Sequence, residues 1–472
     1  MPRQYWLIGF TLVFSPISIA SENSLGRTMV VTYSSPPGEH LSDDYHVFVN
    51  GHFSPTYVAR TLDHPFDNQS LNYGGPYCFS NFDLNGPVEI RVTSSHSLLN
   101  AVIRPITSGL STQLQSNNTL LIHLQGPCTF CLEPNGKNNP LLIFANPLEQ
   151  DPPNHESENV VYFGPGIHHA GKIELKSDQI LYIAGGAIVK GGVMASGKHI
   201  RIRGHGILDA SDYEWRKGPT RDEISIYGTE VDIDGITIRG SSQWTIALHD
   251  SSHVTLSNVK ICGARVQNDD GVDICNSQDV KISGCFIRTD DDCLAVKGLA
   301  SSLSKQNCTN ISIDSCILWS DRARVCLLGH ESDAKSMKAI TLSNLEIIHF
   351  ALPAFLFQPN DGMSLEQVAV DNVQINGEGQ EELVRIETTP YQTGSKVTSG
   401  NVFGIHFRNV SLYGKLGAYR CFLFGNDHEH SVSDVTLENF YILGTPVLPQ
   451  SKRVEIAGSV EGYRAFITTL PH

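Results

Sequence analysis

The sequence predicts an all-β fold: a right-handed parallel β-helix preceded by a small antiparallel β-sandwich. The first observation is a repeat. From Val231 a unit of the form apolar-x-apolar-x-x-apolar-x-apolar recurs as Val231/Ile233/Ile236/Ile238, Val254/Leu256/Val259/Ile261, Val280/Ile282/Cys285/Ile287 and Ile311/Ile313/Cys316/Leu318. It continues from Ile340, Val368, Ile405 and Val435. Alternation within each half is strand periodicity, and the spacing between copies is that of a solenoid whose rungs bury apolar side chains only against their neighbours. The second observation is the break in alternation at the centre of each unit. Asn258, Asn344, Asn372, Asn409 and Asn439 stand there, with Gly235, Gly284 and Ser315 in the other copies. Asn and Gly accept the left-handed backbone of a sharp corner, and stacked Asn side chains can bond from rung to rung. The third is the texture upstream. Tyr45–Val49, Val88–Val92, Ala101–Ile106 and Thr119–Leu124 are short strand-like runs separated by Gly, Pro and Asn turns.

In chain order, residues 1–20 read as a signal peptide: Arg3, an apolar Trp6–Phe14 segment, then Ser18-Ile19-Ala20 before the cut. Residues 27–153 form the sandwich domain and residues 158–465 the β-helix, with Asp151-Pro152-Pro153-Asn154 between them. Shorter early coils are expected at Val161–Phe163, Ile173–Leu175, Ile180–Ile183, Ala187–Val189 and Ile200–Ile202. Insertions at Leu299–Asn307 and Thr388–Gly400 are expected to wall a groove. The protein is expected to be secreted, extracellular or periplasmic. No later segment approaches a membrane span, and a formal charge of −15 argues against nucleic acid and anionic membrane surfaces as partners. Eleven cysteines leave at least one unpaired if the rest form disulfides. Cys128-x-x-Cys131 lacks a second ligand pair for zinc, which leaves a local disulfide or two plain thiols. Cys285 and Cys316 occupy equivalent repeat positions and are expected to stack in the core.

The chemistry gathers in two acidic clusters, Asn268-Asp269-Asp270-Gly271-Val272-Asp273 and Thr289-Asp290-Asp291-Asp292-Cys293. With Val296 over Ile274, Asp292 stacks on Asp270 and Asp291 on Asp269; with Leu327 in the same column, Arg324 falls above Asp292 and Ala323 above Asp291. Rungs lie about 4.8 Å apart, so several carboxyls meet on one ledge with a guanidinium at its edge. Like-charge repulsion raises at least one pKa and sets a protonated acid beside ionised partners, the division of labour that glycoside hydrolysis uses. Isolated corner residues Asp232, Asp234, Asp314 and Asp371 are expected only to cap turns. Calcium is a competing occupant of crowded hard oxygens, and structural ladders are the bland reading.

These motifs resemble a known family. Asn268–Ile274 resembles the NTDGxDI motif of polygalacturonases, and Asp291–Val296 resembles their DDCIAI motif. Gly204–Asp209 is similar to their GxGxIDG coil, and Ser242-Gln243-Trp244 to their S-P-x-W segment. The resemblance implies Asp291 as general acid, with Asp270 and Asp292 holding and activating water in an inverting mechanism. It departs from the family at Arg324, which stands in place of the His of a GHG motif, and at Arg385-Ile386-Glu387, where Glu387 replaces the Lys of RIK. That Arg–Lys pair grips the sugar carboxylate in polygalacturonases, and a Glu there would repel a uronate. Dextranases and isopullulanases are similar in architecture, a β-sandwich leading into a β-helix with three catalytic Asp residues, and they lack the carboxylate-binding pair.

The expected function is a secreted, inverting, polygalacturonase-like glycoside hydrolase acting on a polysaccharide or oligosaccharide, without metal or other cofactor. Substrate-binding candidates are Asn268, Asp269, Asp273, Lys297, Arg324, His330 and Arg385, with Glu331 beside them on the same ledge. Trp215, Trp244 and Trp319 are candidates for stacking on sugar faces or for packing. The alternatives are a dextranase-like hydrolase of a neutral glucan, a β-helical lyase or epimerase, and a non-catalytic carbohydrate-binding solenoid.

Overall fold

Alternating apolar residues on successive rungs produce straight columns of core side chains, and these columns define the architecture of the computed structural model, which describes residues 18–19, 28–66, 69–299, 301–302, 306–390 and 398–468. Strands from Val160 to Phe466 join in one continuous sheet of 28 strands, parallel throughout except for the short pairing of Tyr441–Ile442 with Thr445–Pro446. Val231, Val254, Val280, Ile311, Ile340, Val368, Ile405 and Val435 are register partners from rung to rung. A second column runs through Ile238, Ile261, Ile287, Leu318 and Ile347. The third runs through Leu248, Ile274, Val296, Leu328 and Phe357. All of these side chains are buried in one apolar core. Leu328 therefore stands over Val296, while Leu327, expected in that column, points outward to join Ala295 and Leu356.

The corner between the first two faces has the expected backbone. Asn258, Asn344, Asn372, Asn409, Asn439 and Ser315 have φ between 51° and 55°. Asn372 Nδ2 donates to Asn344 Oδ1 at 2.6 Å and Asn439 Nδ2 to Asn409 Oδ1 at 3.1 Å. Asp234, Asp314 and Asp371 accept side-chain hydrogen bonds from the adjacent rung at the same corner, and Asp232 lies 3.9 Å from Arg201.

Residues 30–147 form two sheets. Five strands are antiparallel in the order His52–Ser54, Tyr45–Val49, Val88–Ser94, Thr119–Leu124 and Ser111–Ser116. The other sheet centres on Tyr77–Leu84 and includes one parallel pairing, with Leu141–Pro147. Tyr77–Leu84 is buried along its whole length because both of its faces are covered. Phe82 and Leu84 pack into the sandwich, whereas Tyr77 and Phe79 pack with Phe144 against Cys262, Phe286 and Trp319 of the β-helix. The sandwich is thus docked on the second face of the solenoid, and Trp319 is a core residue of that junction.

All eleven cysteines carry free thiols. Cys128 and Cys131 share the strand Cys128–Glu133, where a spacing of three directs their side chains to opposite faces: Cys131 packs toward the β-helix and Cys128 toward the sandwich core. Of the expected leader only Ser18–Ile19 is described, paired with Val31 and Thr32; the remainder lies outside the described residues, as do 300, 303–305 and 391–397 of the two insertions. Among the described residues no helix is long and apolar enough to cross a membrane.

Arg288 is the polar centre of the junction. Its guanidinium is wholly buried, bonds Asp321 at 2.9 Å and the Tyr73 carbonyl at 2.7 Å, and lies between the rings of Tyr77 and Trp319 at 4.2 and 3.8 Å. Removing it leaves the buried Asp321 carboxylate with the Trp319 indole N–H at 3.0 Å and Lys137 at 3.9 Å but without its guanidinium. Arg288→Met is expected to lower unfolding stability by about 3–5 kcal/mol in urea titration; a loss below about 1 kcal/mol would contradict the assignment.

Candidate active site

The site lies at the corner between the second and third faces, where each rung passes through a turn before its third strand. Gly271 allows the closest approach there. A Cβ on it would stand 2.4 Å from the Cys293 carbonyl oxygen and 2.5 Å from Ile287 Cγ2, so only glycine admits the bond from Gly271 N to Asp292 O at 2.8 Å. Asn268 turns the chain into this corner with φ 58°. The rungs then bring carboxylate oxygens of Asp270, Asp291 and Asp292 within 4.8 Å of one another.

These three differ in exposure and partners. Asp291 protrudes into the cleft with its side chain 16% exposed, against 4% for Asp270 and 2% for Asp292. Asn268 Nδ2 donates to Asp291 Oδ2 at 3.3 Å, and the Arg322 guanidinium approaches the same oxygen at 3.6 Å. Asp292 accepts from Arg324 N at 3.0 Å and Arg324 Nη2 at 2.7 Å. Asp270 Oδ2 accepts from Lys297 Nζ at 3.3 Å, while its buried Oδ1 has no hydrogen-bond partner among the described residues. Burial, reinforced by Asp273, Asp291 and Asp292, pushes the Asp270 carboxyl well above its usual range against the pull of Lys297. Burial also raises Asp292, to about 6, with Asp291 adding to the shift and Arg324 restraining it.

Lys297 is the counter-charge beneath the trio. It is buried, 2.7 Å from Asp273 and 3.6 Å from Glu331, with its ammonium 4.0 Å from the centre of the Trp244 ring. Burial alone would lower its pKa, but Asp273, Asp270 and Glu331 outweigh that and hold it cationic. Asp273 itself is raised by burial to about 7 against the pull of Lys297.

The cleft has a volume of about 330 Å³ and is lined by Asn268, Asp270, Asp291, Asp292, Lys297, Arg324 and His330 among the sequence candidates, with Trp244 and Glu331. Two expected binding residues lie below it. Asp269 is fully buried and accepts from the backbone N–H groups of Asp290 at 2.6 Å and Arg265 at 3.0 Å, so it braces the corner. Asp273 is fully buried beneath Lys297. Arg385 follows Leu327 and Leu356 on the outward side of the third face, but its guanidinium is engaged by Glu382 and Glu387 and lies over Phe422, outside the cleft lining. His330 shares a hydrogen bond with Gln358, and burial with nearby Arg324 depresses its pKa to about 4. Trp215 donates to Gln267 O at 2.9 Å and carries Arg216 over its ring.

Sequence reasoning missed Arg322, Arg216 and Tyr73. Arg322 grips Asp290 through two bonds of 2.9 and 2.7 Å, and Asp290 also accepts the Tyr73 hydroxyl from the sandwich. The Asp290-Asp291-Asp292 run hinted that one carboxylate is structural; nothing local pointed to Tyr73, more than two hundred residues upstream.

Residues 172–317, less than half of the chain, match the family model described as glycosyl hydrolases family 28. The matched segment contains both acidic clusters, and by this match the chain is a glycosidase. No curated protein matches it in sequence. Among solved structures it is similar to Dex49A from Penicillium minioluteum, with a TM-score of 0.69 and 16% identity over 91% of this chain and 96% of that one. It is also similar to a hyperthermoactive exopolygalacturonase from Thermotoga maritima, with a TM-score of 0.50 and 17% identity over 65% and 84%. Both likenesses describe the parallel β-helix fold.

Because the folded-state pKa of Asp292 is raised above the unfolded value near 3.9, its contribution to stability is full below about pH 4 and is lost as pH rises through about 6. Asp292→Asn removes this titration. Melting curves across that window are expected to show the variant gaining on the wild type as pH rises; a difference independent of pH would contradict it.

Proposed function

We propose that this chain is an inverting glycoside hydrolase of a neutral polysaccharide or its oligomers. The observation that carries the reading is the carboxylate trio gathered at one cleft. Two hydrogen bonds of about 2.8 Å meeting at one water span roughly 4.6 Å between acceptors, which lies inside the 4.8 Å limit on the trio's oxygens, and the reading places that water between Asp270 and Asp292. In the proposed reaction Asp291, the carboxyl that protrudes into the cleft, gives a proton to the glycosidic oxygen as the bond to the anomeric carbon breaks. The held water attacks that carbon from the opposite side and loses a proton to Asp292, raised to about 6, while Asp270, held well above the usual carboxyl range, positions the water. The products are two hydroxyl-ended sugars, and solvent returns the proton from the base to Asp291.

Carboxylate spacing bears on the stereochemistry. Acid and base of inverting glycosidases usually stand about 6.5–9.5 Å apart, flanking the sugar, and retaining pairs about 5–5.5 Å. Here the oxygens lie within 4.8 Å on one ledge. Exposure favours inversion nonetheless: Asp270 and Asp292, nearly sealed at the cleft floor, are poorly placed to bond an anomeric carbon but well placed to hold the water that does.

Charge supports a neutral substrate. The cleft lining carries four carboxylates and four cations, and Lys297, Arg322 and Arg324 are each committed to aspartates. Arg385, the residue in the position of a uronate-gripping arginine, is held by two glutamates. The same pairing argues against calcium in the trio, because Lys297 and Arg324 already supply its positive charge. The leader read at residues 1–20 supports export.

Asp291→Asn, Asp270→Asn and Asp292→Asn are each expected to lower kcat by about 10²–10⁴-fold, measured as reducing ends released from dextran; an Asp291→Asn enzyme of full activity would sink the assignment. NMR of the first products is expected to show the inverted anomer, and retention would replace single by double displacement. Polygalacturonate is expected to be the poorer substrate and EDTA to leave the rate unchanged. Preference for polygalacturonate would overturn the neutral-sugar reading; loss of activity in EDTA restored by Ca²⁺ would overturn the metal-free one.

A further inference from the structure

A second cavity, of about 260 Å³, opens on the same outward face as the carboxylate cleft; Arg221, Tyr227, His249, Asp250 and Asn276 are among its lining residues. Its floor is a ring platform. Tyr227 stacks on His249 with centroids 4.8 Å apart and planes 18° from parallel, and Tyr227 is 43% exposed while His249 is buried. His249 is pinned from below: its Nε2 lies 3.0 Å from Asp222 Oδ2, which also accepts the Ser225 hydroxyl at 2.9 Å. The tyrosine is thus held nearly parallel to His249, with 43% of its surface left to solvent.

Register ties this platform to the reacting centre. His249, Cys275 and Lys297 are partners on successive rungs, and Tyr227 lies one rung before His249. Tyr227 therefore stands about 14 Å, three rung spacings, from the level of Lys297. Trp244 is the wall between the two cavities: Lys297 lies 4.0 Å from its ring centre, and Arg221, from the second cavity, 5.2 Å.

We propose that Tyr227, with Arg221, Asp250 and Asn276 around it, forms a remote subsite that binds one neutral pyranose of the glycan being cut, at a ring other than the one attacked. A pyranose presents a C–H face that packs on an aromatic ring and an equator of hydroxyls that bond to guanidinium, carboxylate and amide groups, which is the composition found here. The glycan then crosses the rungs along the solenoid axis, with Trp244 between subsite and scission point. This inference rests on the hydrolase reading and adds a determinant of chain-length preference to it.

The test uses the full-length protein with dextran and isomalto-oligosaccharides of increasing length. Tyr227→Ala is expected to raise KM by about 5- to 10-fold on chains long enough to reach the platform, with a penalty that shrinks toward the shortest substrates and kcat on long chains little changed. Tyr227→Phe, which keeps the ring face, is expected to restore the wild-type KM. A wild-type enzyme active on these glucans whose KM is unaffected by Tyr227→Ala, or is raised equally at every length, would overturn the subsite. A wild-type enzyme inactive on all of them would instead overturn the neutral-glucan reading. Melting temperatures of both variants near that of the wild type exclude misfolding as the cause.

Discussion

Parallel register is the constraint on which the structure depends. Once Ile274 and Val296 share a core column, Asp270 and Asp292 must share a corner, and the core holds them there against their mutual repulsion. Their charge is then managed by Lys297 below and Arg324 above, each bonded to one of the two. Burying five aspartates, Asp269, Asp270, Asp273, Asp290 and Asp292, and one lysine in this corner is unfavourable in itself. The tight rung contact at Gly271 and the long apolar columns supply the rigidity that keeps those charges in place, and a water-holding site is what that arrangement makes possible.

The sandwich acts on this corner from outside. Tyr73 reaches Asp290, Asp290 holds Arg322, and Arg322 stands 3.6 Å from Asp291, so a residue of the amino-terminal sheets helps to set the environment of the protruding carboxylate. Arg288 anchors the same junction through Asp321 and the Tyr73 carbonyl. The two sheets are therefore part of the site's support as well as a cover for apolar solenoid surface.

The columns from Val231 to Val435 and the Asn corner were legible because every rung repeats them, so each copy corroborates the others. The stacking of Asp292 on Asp270 followed from the same repeat. Leu327 was misplaced by one position because the turn before it, 321–325, is one residue longer than the matching turn 290–293 of the preceding rung, and a one-residue slip turns a side chain from core to surface. Asp269 and Asp273 read as cleft residues because sequence shows that carboxylates cluster and not which of them lie beneath the ledge. Cys128 and Cys131 show the same limit, since a spacing of three means adjacency in a turn and opposite faces in a strand. Tyr73 and Arg288 owe their roles to contacts between distant segments, which local pattern does not encode.

The central claim is that Asp270, Asp291 and Asp292 face one sugar across one water. A crystal structure of the Asp291→Asn protein with a bound oligosaccharide examines it most directly. The account predicts an anomeric carbon opposite a water bonded to both Asp270 and Asp292, with the side chain of residue 291 at the glycosidic oxygen. An oligosaccharide seated away from these three residues, or a carboxylate in direct contact with the anomeric carbon and no water between them, would contradict it.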